Sequence, residues 1–278
     1  MKSLFLCSFA SLDLSNSVKR LRNQANQSKF YKFVKIYRPY DLNDKNKSQI
    51  KKLMNRKKRL YGYASWKPEI IRDCLKRIPK DSILQYSDVG CHINEKGKKR
   101  LDYYKKITDK KNILAFQYFK PKFRNKEKLK FQIYYEYKYT KNDLFEYLKI
   151  PKKSKIFKSE QFWSGTIFFK NNKYSQDFLK RWIKICRINK LIDDTPSKSQ
   201  NSKNFVEHRH DQSAFSLLCK LSKIFSLSAS ECEWAENNKG RYWRHLETFP
   251  ILAKRDKKQN ILKRFITRQS KNFKRLLN

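Results

Sequence analysis

Glycine is scarce, with five in 278 residues. Those five form neither a G-x-G-x-x-G run nor a Walker phosphate loop, which disfavours a Rossmann dinucleotide site and a Walker-type ATP site. The six cysteines (Cys7, Cys74, Cys91, Cys186, Cys219 and Cys232) include no C-x-x-C and no zinc spacing. Most lie in apolar runs such as SLLCKL and WIKICRI, so they are expected as buried, reduced thiols in a cytoplasmic setting. No apolar stretch approaches the ~20 residues that span a bilayer. The opening MKSLFLCSFASLDLSN resembles a short signal segment. Asp13 follows without a small-residue cleavage site, however, and a first strand entering a helix fits better. Acids are also few, 25 against 67 Lys+Arg, for a formal charge of +42. Such an excess points to a polyanionic partner or an anionic membrane surface. Lys and Asn are nevertheless spread along the whole chain, as a compositional bias would spread them. The basic residues are not confined to one stretch and no nucleic-acid motif is present, which argues against nucleic acid as the partner.

What the chain does have is apolar residues, 39%, with 20 Phe and 16 Tyr. That is enough for a packed core. Strand-like and helix-like segments alternate: strands over 4–10, 30–37, 82–87, 112–118 and 162–170, and helices over 13–27, 44–60, 68–78, 95–107, 174–189 and 211–221. Asp13 or Ser15 is expected to cap the first helix, and Pro68 suits a first helical turn. The pattern predicts an α/β fold, a mostly parallel sheet flanked by helices. Residues 119–150 are aromatic and basic and carry no readable topology. The polar run DDTPSKSQNSKN at 193–204 reads as a mobile loop. One domain is expected over 1–253, followed by a basic amphipathic helix over 254–278. That helix suits an anionic membrane surface, or packs on its own domain.

Three clusters carry chemistry. The first is YGYASWKP (61–68), followed after a helix by LQYSDVGCHIN. Asp88 and Gly90 fall just past a strand end, where ligands bind in open α/β sheets. A carboxylate there can hold a divalent cation or a ribose hydroxyl. The second is EQFWSGTIFF, in which Gly165 permits close backbone approach and Trp163 offers a ring for a sugar to stack on. The third is EHRHDQS, which places Glu207, His208, His210, Asp211 and Gln212 at the start of a helix, a position that favours anions.

In this order the clusters resemble GT-A glycosyltransferases. The resemblance is to capsule- or lipopolysaccharide-type, glycogenin-like nucleotide-sugar enzymes that read G-Y-x-x-W-K-P, a helix, then Y-x-D-x-G-C. It covers residues 4–221 and implies a GT-A-like fold. It also implies a nucleotide-sugar donor, a glycan or lipid-linked acceptor and a role in surface polysaccharide synthesis, with the protein cytoplasmic or peripheral on the inner membrane face. Carried over, Asp88 would contact metal or nucleotide, and Lys67, with Trp66 beside it, the donor phosphate or sugar. Gly90, Trp163 and Gly165 would line the donor. His208 and His210 would meet phosphate or metal, and Asp211 and Gln212 would act on donor sugar and acceptor. His245, in YWRHLETFP, is a second candidate ligand for Mn or Mg. The chain departs from Asp-x-Asp, because Gly90 replaces the second acid, so the cation site is thin. The alternatives are a nucleic-acid-binding protein or metal-dependent nuclease using the HRHD cluster, and a degenerate transferase that binds a glycan without turnover.

Overall fold

The computed structural model describes residues 2–55, 59–121 and 128–254. The expected basic tail lies outside them from residue 255 on. Ten strands occur among the described residues: β1 (Leu4–Phe9), β2 (Phe33–Tyr37), β3 (Ile83–Ser87), β4 (His92–Ile93), β5 (Ile113–Gln117), β6 (Phe162–Lys170), β7 (Phe225–Ser228), β8 (Ala235–Asn237), β9 (Gly240–Tyr242) and β10 (Ile251–Leu252). Six form the central sheet, in the order β2-β1-β3-β6-β5-β7. Strand β1 pairs in parallel with β2 and β3, and β5 in parallel with β7. Only β6 runs against its neighbours in this sheet. The α/β class with a mainly parallel, helix-covered sheet is therefore present, with one reversed strand that alternation alone did not reveal.

The first apolar stretch, LFLCSF, is the buried strand β1, hydrogen-bonded on both sides. Near-continuous apolar sequence suits a strand covered on both faces. Its side chains divide with period two. Cys7 and Phe9 join the core formed with the helices Lys67–Lys76, Lys173–Cys186 and His210–Leu221. Leu4 and Leu6 face the opposite layer, built by the helices Ser15–Ser28 and Lys98–Lys111. No helix among the described residues is long and apolar enough to cross a membrane, and all six cysteines are buried.

Several expectations change. The first helix has Leu14 at its N-cap and no side-chain cap, because the Ser11 hydroxyl donates to Asp13 and Ser15 turns back to the Leu12 carbonyl. The second helix stops at Met54 instead of running to residue 60. The 193–204 segment forms no strand and only borders a helix, yet it is tied down. Asp143 accepts from the backbone N–H of Lys198 and Ser199, and Asn201 accepts from Asn142. In the unread stretch, short helices form at Glu136–Tyr139 and Asn142–Tyr147.

The YGYASWKP segment has an unusual backbone. Leu60, Tyr61, Gly62, Tyr63 and Ala64 all have positive φ, between 48° and 79°. Tyr63 and Ala64 donate to the carbonyls of Arg59 and Leu60 at 3.0 and 3.1 Å, which closes a left-handed turn. Each non-glycine residue in that conformation costs roughly 1–2 kcal/mol. Gly62 avoids the cost and also leaves room for Ile50, whose side chain would lie 3.0 Å from an added Cβ. Strain of this size persists only where the surroundings hold it. Here the turn is followed at once by Trp66, whose indole donates back to the Tyr61 carbonyl at 3.1 Å and whose ring packs on Phe9 at 3.9 Å. Lys67 comes next.

Candidate active site

Four segments far apart in sequence meet beyond the carboxyl end of β3. Asp88 follows the last residue of β3, Lys67 is the first residue of its helix, and Asp211 is the second residue of His210–Leu221. Ser164 lies in β6, beside Asp88, whose backbone N–H donates to the Gly165 carbonyl at 2.8 Å. The pairing of β5 with β6 slips here: Leu114 stands opposite Phe168 but Phe116 opposite Trp163. Such irregularities re-aim side chains next to sites.

The Lys67 ammonium is enclosed by oxygen. Its Nζ lies 2.8 Å from Asp211 Oδ2, 3.3 Å from Asp88 Oδ1, 3.2 Å from Ser164 Oγ and 3.3 Å from the Ser164 carbonyl. The Tyr86 ring lies 5.3 Å from the ammonium, and its hydroxyl donates to Asp88 Oδ1 at 2.7 Å. Ser164 Oγ donates to Asp211 Oδ2 at 2.9 Å. Lys67 and Asp211 expose 4% and 5% of their side chains, and Asp88 exposes 42%. Burial opposes the charge on Lys67, but Asp211 and Asp88 outweigh it and raise its pKa, so it is a fixed cation. Burial raises the Asp211 pKa, with the Asp88 charge adding to the effect and Lys67 opposing it. Asp88 is thus the exposed member of the triad. Asp211, expected to act on donor sugar and acceptor, is buried and paired with Lys67. Gln212 is half-buried and donates to Gln161 Oε1 at 3.0 Å.

The loop after Asp88 is clasped by the first helix. Arg20 donates to the carbonyls of Val89 and Cys91 at 2.7 and 3.1 Å, and the Gln24 side-chain oxygen accepts from Ile93 N–H. Gly90 sits in this turn. The roles expected for Gly165 and Trp163 change. Trp163 is buried in the opposite layer with Tyr104 and Phe168, so it offers no free face for a sugar. Its indole lies against Gly165, where an added Cβ would approach the ring to 2.2 Å. Gly165 therefore serves the packing of Trp163 and presents its carbonyl to Asp88. Trp66 is likewise a buried packing residue.

The histidines are internal braces. His208 Nδ1 accepts from the Lys141 N–H at 3.3 Å, so its Nε2 donates to the Leu191 carbonyl at 2.9 Å. His210 donates through Nδ1 to the Ile192 carbonyl at 2.8 Å and packs on Tyr63. Burial pushes the His208 pKa well below its usual value and brings that of His210 to about 4. Both are neutral at pH 7 and hold the approach to Asp211. The sign for stability follows from proton binding. Between the unfolded value near 6.5 and the folded value the unfolded chain binds more protons, so stability falls as pH drops through that window. For His210 alone the loss between pH 7 and pH 5 is about 2 kcal/mol. Urea unfolding at both pH values should show the His210→Asn variant losing about that much less than the parent, and equal losses would refute the buried neutral histidine.

Whether these residues fit a divalent cation can be judged from the donors. His245 lies within 3.2 Å of the Ser230 carbonyl and 3.1 Å of the Glu233 carbonyl through Nε2, in the C-terminal segment. His208 and His210 aim N–H groups at carbonyls. No group of three or more His, Cys, Asp and Glu that could hold a metal occurs among the described residues. The two carboxylates that do meet already face an ammonium. The donor set does not fit the cation expected at Asp88 and His245. In the HRHD cluster His208 uses both ring nitrogens, while His210 Nε2 makes no hydrogen bond and lies 3.7 Å from Asp194 Oδ1.

No family model matches the chain, and no curated protein does. Among solved structures, a glycosyltransferase involved in the glycosylation of the major capsid of PBCV-1 is similar at 10% identity and a TM-score of 0.49, over 96% of this chain and 99% of that one. Mouse xyloside xylosyltransferase 1, in its apo form, is similar at 9% identity and a TM-score of 0.42, over 83% of this chain and 87% of that one. The galactosyltransferase LgtC, in complex with donor and acceptor sugar analogues, is similar at 9% identity and a TM-score of 0.40, over 83% and 75%. At this degree of likeness none of their activities transfers to the chain.

Two residues of the site were not singled out from sequence, Ser164 and Tyr86. Tyr86 was legible, since it stands two residues before Asp88 and period two puts both on one face. Ser164 became visible only once the strand irregularity was known.

Proposed function

We propose that the chain is a nucleotide-sugar-dependent glycosyltransferase of GT-A-like architecture, transferring a sugar to a glycan or lipid-linked acceptor in surface polysaccharide synthesis. The observation that carries this reading is the convergence of Lys67, Asp88 and Asp211 at the carboxyl end of β3. These three come from the segments whose ordered motifs resemble such enzymes. The end of parallel strands is where open α/β sheets take ligands, and Asp88 is the acid exposed there to meet the donor. Transfer breaks the bond between the sugar's anomeric carbon and the diphosphate, and forms one to an acceptor oxygen. The acceptor hydroxyl gives its proton to water as the bond forms, and the nucleoside diphosphate departs as an anion. The site's contribution is alignment and a preset field at the point where the leaving group gains charge.

The test is thermal-shift screening against nucleoside diphosphates, sugar nucleotides, RNA and DNA. A ligand that binds only the native state raises the melting temperature by mass action. One nucleotide or sugar nucleotide should raise it selectively. A shift with RNA or DNA and none with any nucleotide would replace this reading with nucleic-acid binding.

A further inference from the structure

We propose that this site works without a divalent cation, the Lys67 ammonium standing where two carboxylates would otherwise hold one. The inference rests on the glycosyl-transfer reading for its substrate, but on the geometry of the triad for its content. The point between Asp88 and Asp211 is filled by Nζ, with contacts of 3.3 and 2.8 Å, and Ser164 supplies two more oxygens at 3.2 and 3.3 Å. A divalent ion needs oxygens at roughly 2.0–2.6 Å and several of them. It would have to displace or sit against a buried positive charge that is held by four oxygens. Lysine is a compact point charge with three donors, and this cage engages them.

Charge balance points the same way. Two carboxylates alone would repel a diphosphate. Lys67 cancels one of them, and the N-termini of the helices Lys67–Lys76 and His210–Leu221 add about +0.5 each at the same place. The protein part of the site is then close to neutral before any ion is added.

Two measurements on the full chain test the proposal. In the first, the protein is stripped with EDTA and desalted, and Mn(II) is titrated into it and followed by electron paramagnetic resonance. No site tighter than the millimolar range is expected in the wild-type protein. A micromolar Mn(II) site that the Asp88→Asn variant lacks would overturn the proposal. In the second, stabilisation by the nucleotide or sugar nucleotide found in the screen is compared in EDTA and in excess Mn(II) or Mg(II), together with nucleoside diphosphate release. The affinities and rates should agree within about twofold, whereas an increase of about tenfold or more with metal would refute cation independence. If no nucleotide stabilises the protein under either condition, the transferase reading fails, and the Mn(II) titration still decides whether the cage admits a cation.

Discussion

Replacing Lys67 by Met should cost the fold about 3–5 kcal/mol, because it leaves a buried carboxylate without its counter-charge. Lys67 and Asp211 expose 4% and 5% of their side chains and lie 2.8 Å apart. Met preserves most of the apolar stem, which packs at the start of the helix, so the loss reports the charge more than the volume. Ser164 would remain as a hydrogen-bond donor to Asp211 but cannot neutralise it. Adding Asp211→Asn should restore a large part of the loss, since the orphaned charge is then gone while an acceptor for Ser164 remains. Urea unfolding of the parent, both single variants and the double variant closes this cycle. Additive losses, or a loss below about 1 kcal/mol for Lys67→Met, would show that the triad is not a unit.

The second large effect is on activity. Asp88→Asn should lower sugar transfer on the order of 100-fold, since it removes the exposed carboxylate that would accept a charge-assisted hydrogen bond from a hydroxyl of the donor. The fold should be nearly unchanged, with a stability difference within about 1 kcal/mol, because the Asp88 side chain is 42% exposed and Asn still accepts from Tyr86 and Lys67. The measurement is transfer rate beside an unfolding curve. Full transfer by a folded Asp88→Asn protein would remove Asp88 from the donor site. The two variants separate the roles: Lys67 supports the fold and the field, and Asp88 meets the ligand.

The layers of the fold were legible in the sequence because strands buried on both faces read as apolar runs and the helices as amphipathic ones. LFLCSF became β1, and FWSGTIFFK became β6 over the expected residues. The direction of β6 was not legible, since strand polarity depends on long-range pairing that local pattern does not encode. The left-handed turn at 60–64 escaped for a related reason. Its conformation is imposed by surroundings on Leu, Tyr and Ala, residues that do not prefer it. In the site, Asp88 could be named from its place at a strand end and Asp211 from the polar cluster opening a helix, whereas Lys67 came only from the resemblance of its segment. Trp163 and the histidines misled in the opposite way. Their types suggest ligands, but burial and nearby carbonyls make them packing and bracing groups, and burial is a property of the whole fold.

A nucleoside diphosphate is expected to bind over this triad. The direct test is a crystal structure of the protein with whichever nucleoside diphosphate stabilises it. The nucleotide should lie beyond the carboxyl end of β3, with a ribose hydroxyl in contact with Asp88 and with Lys67 still caged between Asp88 and Asp211. A nucleotide bound elsewhere, for example between the first helix and β2 near Arg22 and Arg38, with Asp88 out of its reach, would contradict it.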